Sequence, residues 1–312
     1  MLFLIIFIAI FLIINWTRPF YSDRNKEILV SDESKCFSED AKSIIYNKNR
    51  AEAVLLIHGF PTTPKMYTYA AKRLDEAGYD AYAPLIPTFG SNIKDFEKTN
   101  YTQWFTFICS YYEDLRKKYK KLYVLGISMG GAMTLDIGEK YSNTPLAPNR
   151  IIAISSPVAY NNIRFGIYTN LSAMLAPTAA LFIKNINARI VYSRPESNDG
   201  NEDWNGYGGT FIKQGLSLAA AFDRIRHNLK RIAVPMYVMH DKNDKTVPFK
   251  NLAVIEKYCH DYIYVKREVE MKGDFKHSHH SLLMYHSVQK EYMDDIISFL
   301  RGSYDRKEKW LY

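Results

Sequence analysis

The stretch YVLGISMGGAM, residues 123–133, decides the fold. An apolar run stops at Gly126, Ser128 stands alone, and Gly130 and Gly131 follow before helix-forming residues resume. In Gly126-Ile127-Ser128-Met129-Gly130 this pattern predicts a strand that turns abruptly into a helix, with the serine at the corner. Such a corner strains the serine backbone and crowds its flanks, so the positions two before and two after must be very small. The strain lifts the hydroxyl clear of the sheet. The helix that starts there points unpaired N–H groups and the positive end of its dipole at the same spot, which favours developing negative charge.

The flanking chain supplies a matching rhythm. AVLLIHGF (residues 53–60) is a short continuous apolar run, as expected of a strand covered on both faces. A helix follows, with Thr63 as cap, Pro64 in the first turn, Met66, Ala70 and Leu74 on one face, and Gly78 as its stop. YDAYAPLIP reads as a strand, NYTQWFTFICSYYEDLRKKY as a helix, KLYVLGIS as a strand, GGAMTLDIGEKY as a helix and RIIAISSPV as a strand. Strands separated by helices of this length read as successive βαβ units and a parallel sheet. Between residues 159 and 229 the alternation lapses, then resumes with VPMYVMHD. An insertion of that size in a parallel sheet predicts a cap or lid.

A serine hydroxyl is a poor nucleophile near neutral pH, so a base must take its proton. Downstream, MHDKNDKTVP offers Asp241 and Asp244, and KGDFKHSHHSLL offers His277, His279 and His280. An acid would hold the imidazole in the right tautomer and stabilise its positive charge. The order serine, aspartate, histidine is that of hydrolases built on this elbow.

The chain therefore resembles the α/β-hydrolase superfamily, in particular its carboxylesterase and monoacylglycerol-lipase group, through LLIHGF, GISMGG, HDKNDKTVP and the histidine loop, over residues 51–300. The resemblance implies a mostly parallel central sheet flanked by helices, with an inserted lid. It implies Ser128 as nucleophile, Asp244 as acid (three residues before Val247) and His280 as base, with His279 the second choice and His277 behind it. Asp241 becomes a solvated turn residue. The backbone N–H groups of Phe60 and Met129 would form the oxyanion hole, and His58 would brace the loop. Three crowded histidines depart from the family's single base. A metal site there lacks a carboxylate or cysteine at suitable spacing.

The chain divides into an N-terminal hydrophobic anchor or signal segment outside the family core (1–20), a polar linker and sheet entry (21–50), a hydrolase core (51–160 and 230–302) and a lid or cap insertion (161–229). The resemblance implies cleavage of a small-molecule or lipid ester through an acyl-enzyme, with neither metal nor organic cofactor. Phe165, Tyr168, Met174 and Leu175 of the lid are expected to contact the substrate. The same triad also serves thioesterases and acyltransferases, and an inactive hydrolase fold can serve as a binding module.

Composition agrees with one large globular core: 312 residues, 47% hydrophobic and 24% charged. The net charge of +8 is scattered, and its densest patches, RKKYKK and RIRHNLKR, read as solvated helix ends with no nucleic-acid motif beside them. Cys36, Cys109 and Cys259 form no disulfide framework, leaving a single Cys36–Cys259 bridge to consider. LFLIIFIAIFLII, residues 2–14, has no polar group and no small-x-small cleavage site. At helical rise it covers roughly 20 Å against the roughly 30 Å of a hydrocarbon core. The expectation is membrane association through this segment, with export after signal cleavage as the alternative.

Overall fold

The computed structural model describes residues 1–16, 22–159, 163–164, 167–168, 171–195, 198–259 and 264–303. After α1 (Leu2–Trp16) the chain enters β1 (Ile44–Tyr46) and β2 (Glu52–Ile57), then α2 (Thr68–Glu76), β3 (Asp80–Ala83), α3 (Ile93–Phe96), α4 (Tyr101–Lys118), β4 (Lys121–Ile127), α5 (Met129–Tyr141) and β5 (Arg150–Ile154). The interrupted segment holds β6 (Ile163–Arg164), β7 (Ile167–Tyr168), α6 (Leu171–Phe182), β8 (Asn185–Val191), β9 (Gly206–Phe211) and α7 (Ile212–Asn228). The chain finishes with β10 (Met236–Asp241), α8 (Lys250–Tyr258), β11 (Tyr264–Val269) and α9 (Gln289–Arg301).

Seven strands form one sheet in the order β1-β3-β2-β4-β5-β10-β11, all parallel except β1, which runs antiparallel to β3 at the edge. Side chains of a strand alternate between faces, and here both faces are covered. On β2, Ala53, Leu55 and Ile57 enter one core cluster while Val54 and Leu56 enter the other. On β10, Met236 and Val238 point to the first and Tyr237 and Met239 to the second. This is why these strands read as continuous apolar runs. Because they run parallel, β2, β4, β10 and β11 all open their C-terminal ends on one edge, and the strand order reverses at β2, the kind of place where open α/β sheets bind ligands. The molecule is thus an α/β fold of the hydrolase type.

One expectation needs correction, and one open alternative closes. No helix among the described residues is long and apolar enough to cross a membrane. The apolar segment forms α1, described over 15 residues, which packs against α6, and its Asn15 side chain accepts a hydrogen bond from Thr178 Oγ1 at 2.7 Å. This contradicts the expected membrane association through the N-terminal segment. Cys36, Cys109 and Cys259 are all free thiols. Arg224, in the patch read as solvated, is exposed, and from there it ties α7 to α5: its Nη1 donates to Asp136 Oδ1 at 2.8 Å, and Asp136 is buried.

Candidate active site

The corner between β4 and α5 is as cramped as its glycines imply. A Cβ on Gly126 would collide with the carbonyl of Gly130, and one on Gly130 with the carbonyl of Ile57. Ser128 sits at the N-cap of α5 with φ 59° and ψ −123°, a conformation costly for a residue bearing a Cβ. Its N–H is held by Ile154 O of β5 at 2.9 Å, and its side chain is half-buried at the sheet edge. The first N–H groups of α5, Met129's among them, have no intrahelical acceptor.

The loop after β2 lies directly against this corner: a Cβ on Gly59 would be 3.3 Å from Ser128 Cβ. His58 is fully buried. Ile86 N–H donates to its Nε2 at 3.1 Å, so the proton is on Nδ1, which donates to Gly59 O at 3.0 Å. Thr62 N–H also donates to Gly59 O, at 3.2 Å. With that carbonyl held from one side, the N–H of Phe60, across the same planar peptide, must point the opposite way. Burial pushes the His58 imidazole down to about 4, only partly offset by the Gly59 carbonyl, so it stays neutral.

Beyond β10 the chain turns at Asp244. Its side chain is wholly buried. Oδ1 accepts from Thr246 N–H at 2.8 Å and Val247 N–H at 2.9 Å. Oδ2 accepts from His280 Nδ1 at 2.7 Å and lies 3.2 Å from Nε2 of His240. Burial alone would raise this carboxyl; the charge of His280 and the hydrogen bonds from His240, His280 and Val247 outweigh it and hold the group well below the usual carboxylate range. The backbone of His280 is fixed by Tyr285, whose Oη accepts from the N–H groups of His280 and Ser281, each at 3.0 Å. Since Nδ1 of His280 is turned to Asp244, its available lone pair is on Nε2.

The three rings of the crowded histidine loop face three different aspartates. His277 Nε2 donates to Asp199 Oδ2 at 3.2 Å, while its Nδ1 accepts from His279 N–H. His279, at φ 57°, turns its Nδ1 toward Asp241 Oδ1 at 3.8 Å. No group of three or more metal-ligating side chains occurs among the described residues. Asp241 departs from expectation: it is fully buried rather than solvated, accepting from Asn243 N–H at 2.7 Å and Met271 N–H at 2.9 Å.

Of the lid residues expected to meet substrate, Phe165 lies outside the described residues, Tyr168 is placed only as backbone of β7, Met174 is buried and Leu175 half-buried on α6. The inserted segment instead grips the loop after β2. Thr62 Oγ1 donates to Asn205 O at 2.8 Å, Thr63 Oγ1 donates to Asn205 Oδ1, and Tyr207 N–H donates to Pro61 O at 2.9 Å. Thr63 stands at the N-cap of the turn Pro64–Tyr67, as expected, but its hydroxyl serves the insertion rather than the turn's N–H groups. His240, Tyr285 and Asn205 escaped sequence reasoning. A histidine inside the apolar strand MYVMHD was the one available signal.

Comparison with known proteins gives the family. The family model described as Hydrolase_4, serine aminopeptidase, S33, matches residues 48–261, a span that includes Ser128 and Asp244 and stops short of His280. Over 96 residues the chain is 32% identical to the thermostable monoacylglycerol lipase of Bacillus sp. (strain H-257), covering 31% of this chain and 38% of that protein. It is 29% identical over 92 residues to a carboxylesterase of Bacillus subtilis (strain 168), covering 29% and 37%. The matches thus span less than two fifths of these curated relatives. In structure it resembles the metagenome-derived lipolytic enzymes LipS and LipT with a TM-score of 0.69 at 16% identity, over 85% of this chain and 98% of that one. The chain belongs to the S33 serine aminopeptidase family of α/β hydrolases.

Proposed function

We propose that the protein is a serine hydrolase that cleaves carboxylic esters through an acyl-enzyme. The observation that carries this reading is the Asp244–His280 pair, 2.7 Å apart, standing at the same sheet edge as the strained Ser128 corner. Asp244 holds His280 with its proton on Nδ1, and Nε2 takes the proton of Ser128 Oγ as that oxygen attacks the ester carbonyl. The N–H groups of Phe60 and Met129 receive the oxyanion, aided by the positive end of α5. His280 then protonates the leaving alcohol, and water, deprotonated by the same Nε2, releases the acid.

Likeness to a monoacylglycerol lipase and a carboxylesterase favours esters, monoacylglycerols among them, over the peptide substrates in the family's description. A p-nitrophenyl ester series of increasing acyl length, run beside aminoacyl p-nitroanilides, tests it. Ester turnover with a chain-length optimum is expected. Turnover of anilides alone would replace the ester reading with an aminopeptidase one, and acyl transfer to glycerol in place of hydrolysis would identify an acyltransferase.

A further inference from the structure

One buried phenol joins the two loops that carry the proposed oxyanion donors. β2 and β4 are parallel neighbours whose last paired residues are Ile57 and Gly126. Ile127 pairs on its other side with Ile154 of β5, and the next peptide, Ser128 N–H, is spent on Ile154 O. By the alternation of a parallel ladder, Ile127 N–H faces β2, where its natural acceptor is the Ile57 carbonyl. That bond is not made directly. The hydroxyl of Tyr67 stands between them, donating to Ile57 O at 2.7 Å and accepting from Ile127 N–H at 3.0 Å.

The insertion opens the ladder by one oxygen atom while leaving both backbone groups satisfied. It does so at the point where β2 gives way to His58-Gly59-Phe60 and β4 to Ser128-Met129. The Ile57 carbonyl is also the group that a side chain on Gly130 would strike, so the first turn of α5 rests on the same atom. Tyr67 itself is fully buried in the core between β2, β4 and α2. Burial keeps the phenol protonated, as donation to Ile57 requires.

We propose that Tyr67 is a positioning residue that sets the separation between the Phe60 and Met129 N–H groups by spacing Ile57 from Ile127. It touches neither substrate nor the reacting atoms, and the assignment rests on the ester-hydrolase reading above. A purely packing role would be met equally well by phenylalanine, which keeps the ring and deletes only the oxygen.

The test compares wild type, Tyr67→Phe and Tyr67→4-aminophenylalanine, the last restoring a polar donor and acceptor at the same place by amber suppression. Each is active-site-titrated with a fluorophosphonate, then assayed for kcat and KM on a p-nitrophenyl ester and for inhibition by a trifluoromethyl ketone, whose adduct carries an oxyanion. With the donors mis-spaced, kcat per titrated site is expected to fall about 10- to 100-fold with KM little changed. Ketone affinity should weaken in parallel, and 4-aminophenylalanine should recover most of both. Wild-type kcat and ketone affinity in folded Tyr67→Phe would overturn the proposal. Should Tyr67→Phe not fold, a folded 4-aminophenylalanine protein decides: near-wild-type values for both support the spacing role, and loss of both overturns it. If wild type itself neither titrates nor turns over ester, it is the hydrolase reading that has failed.

Discussion

Asp244 is shared by two histidines: the Oδ2 that receives His280 Nδ1 at 2.7 Å also lies 3.2 Å from Nε2 of the fully buried His240. His240 Nε2 is 2.9 Å from the Val247 carbonyl as well, and both neighbours are acceptors, so this nitrogen carries the proton. His240 therefore holds the Asp244 carboxylate together with His280. Replacing His240 by phenylalanine should lower kcat on the order of tenfold with KM unchanged, short of the 10²–10⁴ that a general base is worth. Steady-state kinetics on a soluble ester reads the split.

The two nearby aspartates should separate cleanly. Asp244→Asn leaves His280 with the wrong tautomer and should cost roughly 10⁴-fold in kcat at little cost in fold. Asp241→Asn weakens two turn hydrogen bonds, from Asn243 and Met271, and should cost about 1–3 kcal/mol of stability instead. Urea melts alongside kcat measurements distinguish them.

The three histidines should rank by partner. His280→Ala should reduce ester turnover by at least about 10³-fold. His279→Ala should keep most activity, since its ring stands 3.8 Å from Asp241 and away from Asp244. His277→Ala removes the tie to Asp199 of the inserted segment, and should show itself as faster proteolysis of that segment.

How far the sequence reveals this site depends on the range of the contacts. The elbow is legible because its demands are local: Gly126 and Gly130 lie two positions either side of Ser128, and their crowding follows from chain geometry alone. The parallel sheet is legible because a strand covered on both faces must be apolar throughout. Asp241 misleads because its partners are backbone groups, invisible in residue identity, and one of them, Met271 N–H, is brought in by the next strand. Tyr67 and His240 are hidden for the same reason. Each sits at a position that reads as core, and Tyr67 meets Ile127 only once two strands have paired. The N-terminal run misleads because hydropathy measures how apolar a stretch is and not the length of helix it forms; among the described residues no helix is long and apolar enough to cross a membrane.

Acid should weaken the fold through His58. Its imidazole is held at about 4 against an ordinary 6.5, so the unfolded chain binds more protons between those values. Stability on this account is fully present above about pH 6.5 and falls as pH drops toward 4, by on the order of 3 kcal/mol. The carboxyl of Asp244 adds its own loss only at lower pH, because its depressed value keeps it ionised through this window. Urea denaturation at pH 7 and pH 4.5 should show a larger loss for wild type than for His58→Gln; equal losses would remove His58 from the explanation.

The most direct measurement is covalent labelling of folded protein by a fluorophosphonate, followed by peptide mapping. We expect a single adduct on Ser128, absent from Ser128→Ala and slowed by orders of magnitude in His280→Ala while His279→Ala labels normally. An unlabelled wild type with an intact fold, or an adduct on another serine that survives Ser128→Ala, would contradict a nucleophile at the β4–α5 corner activated by His280.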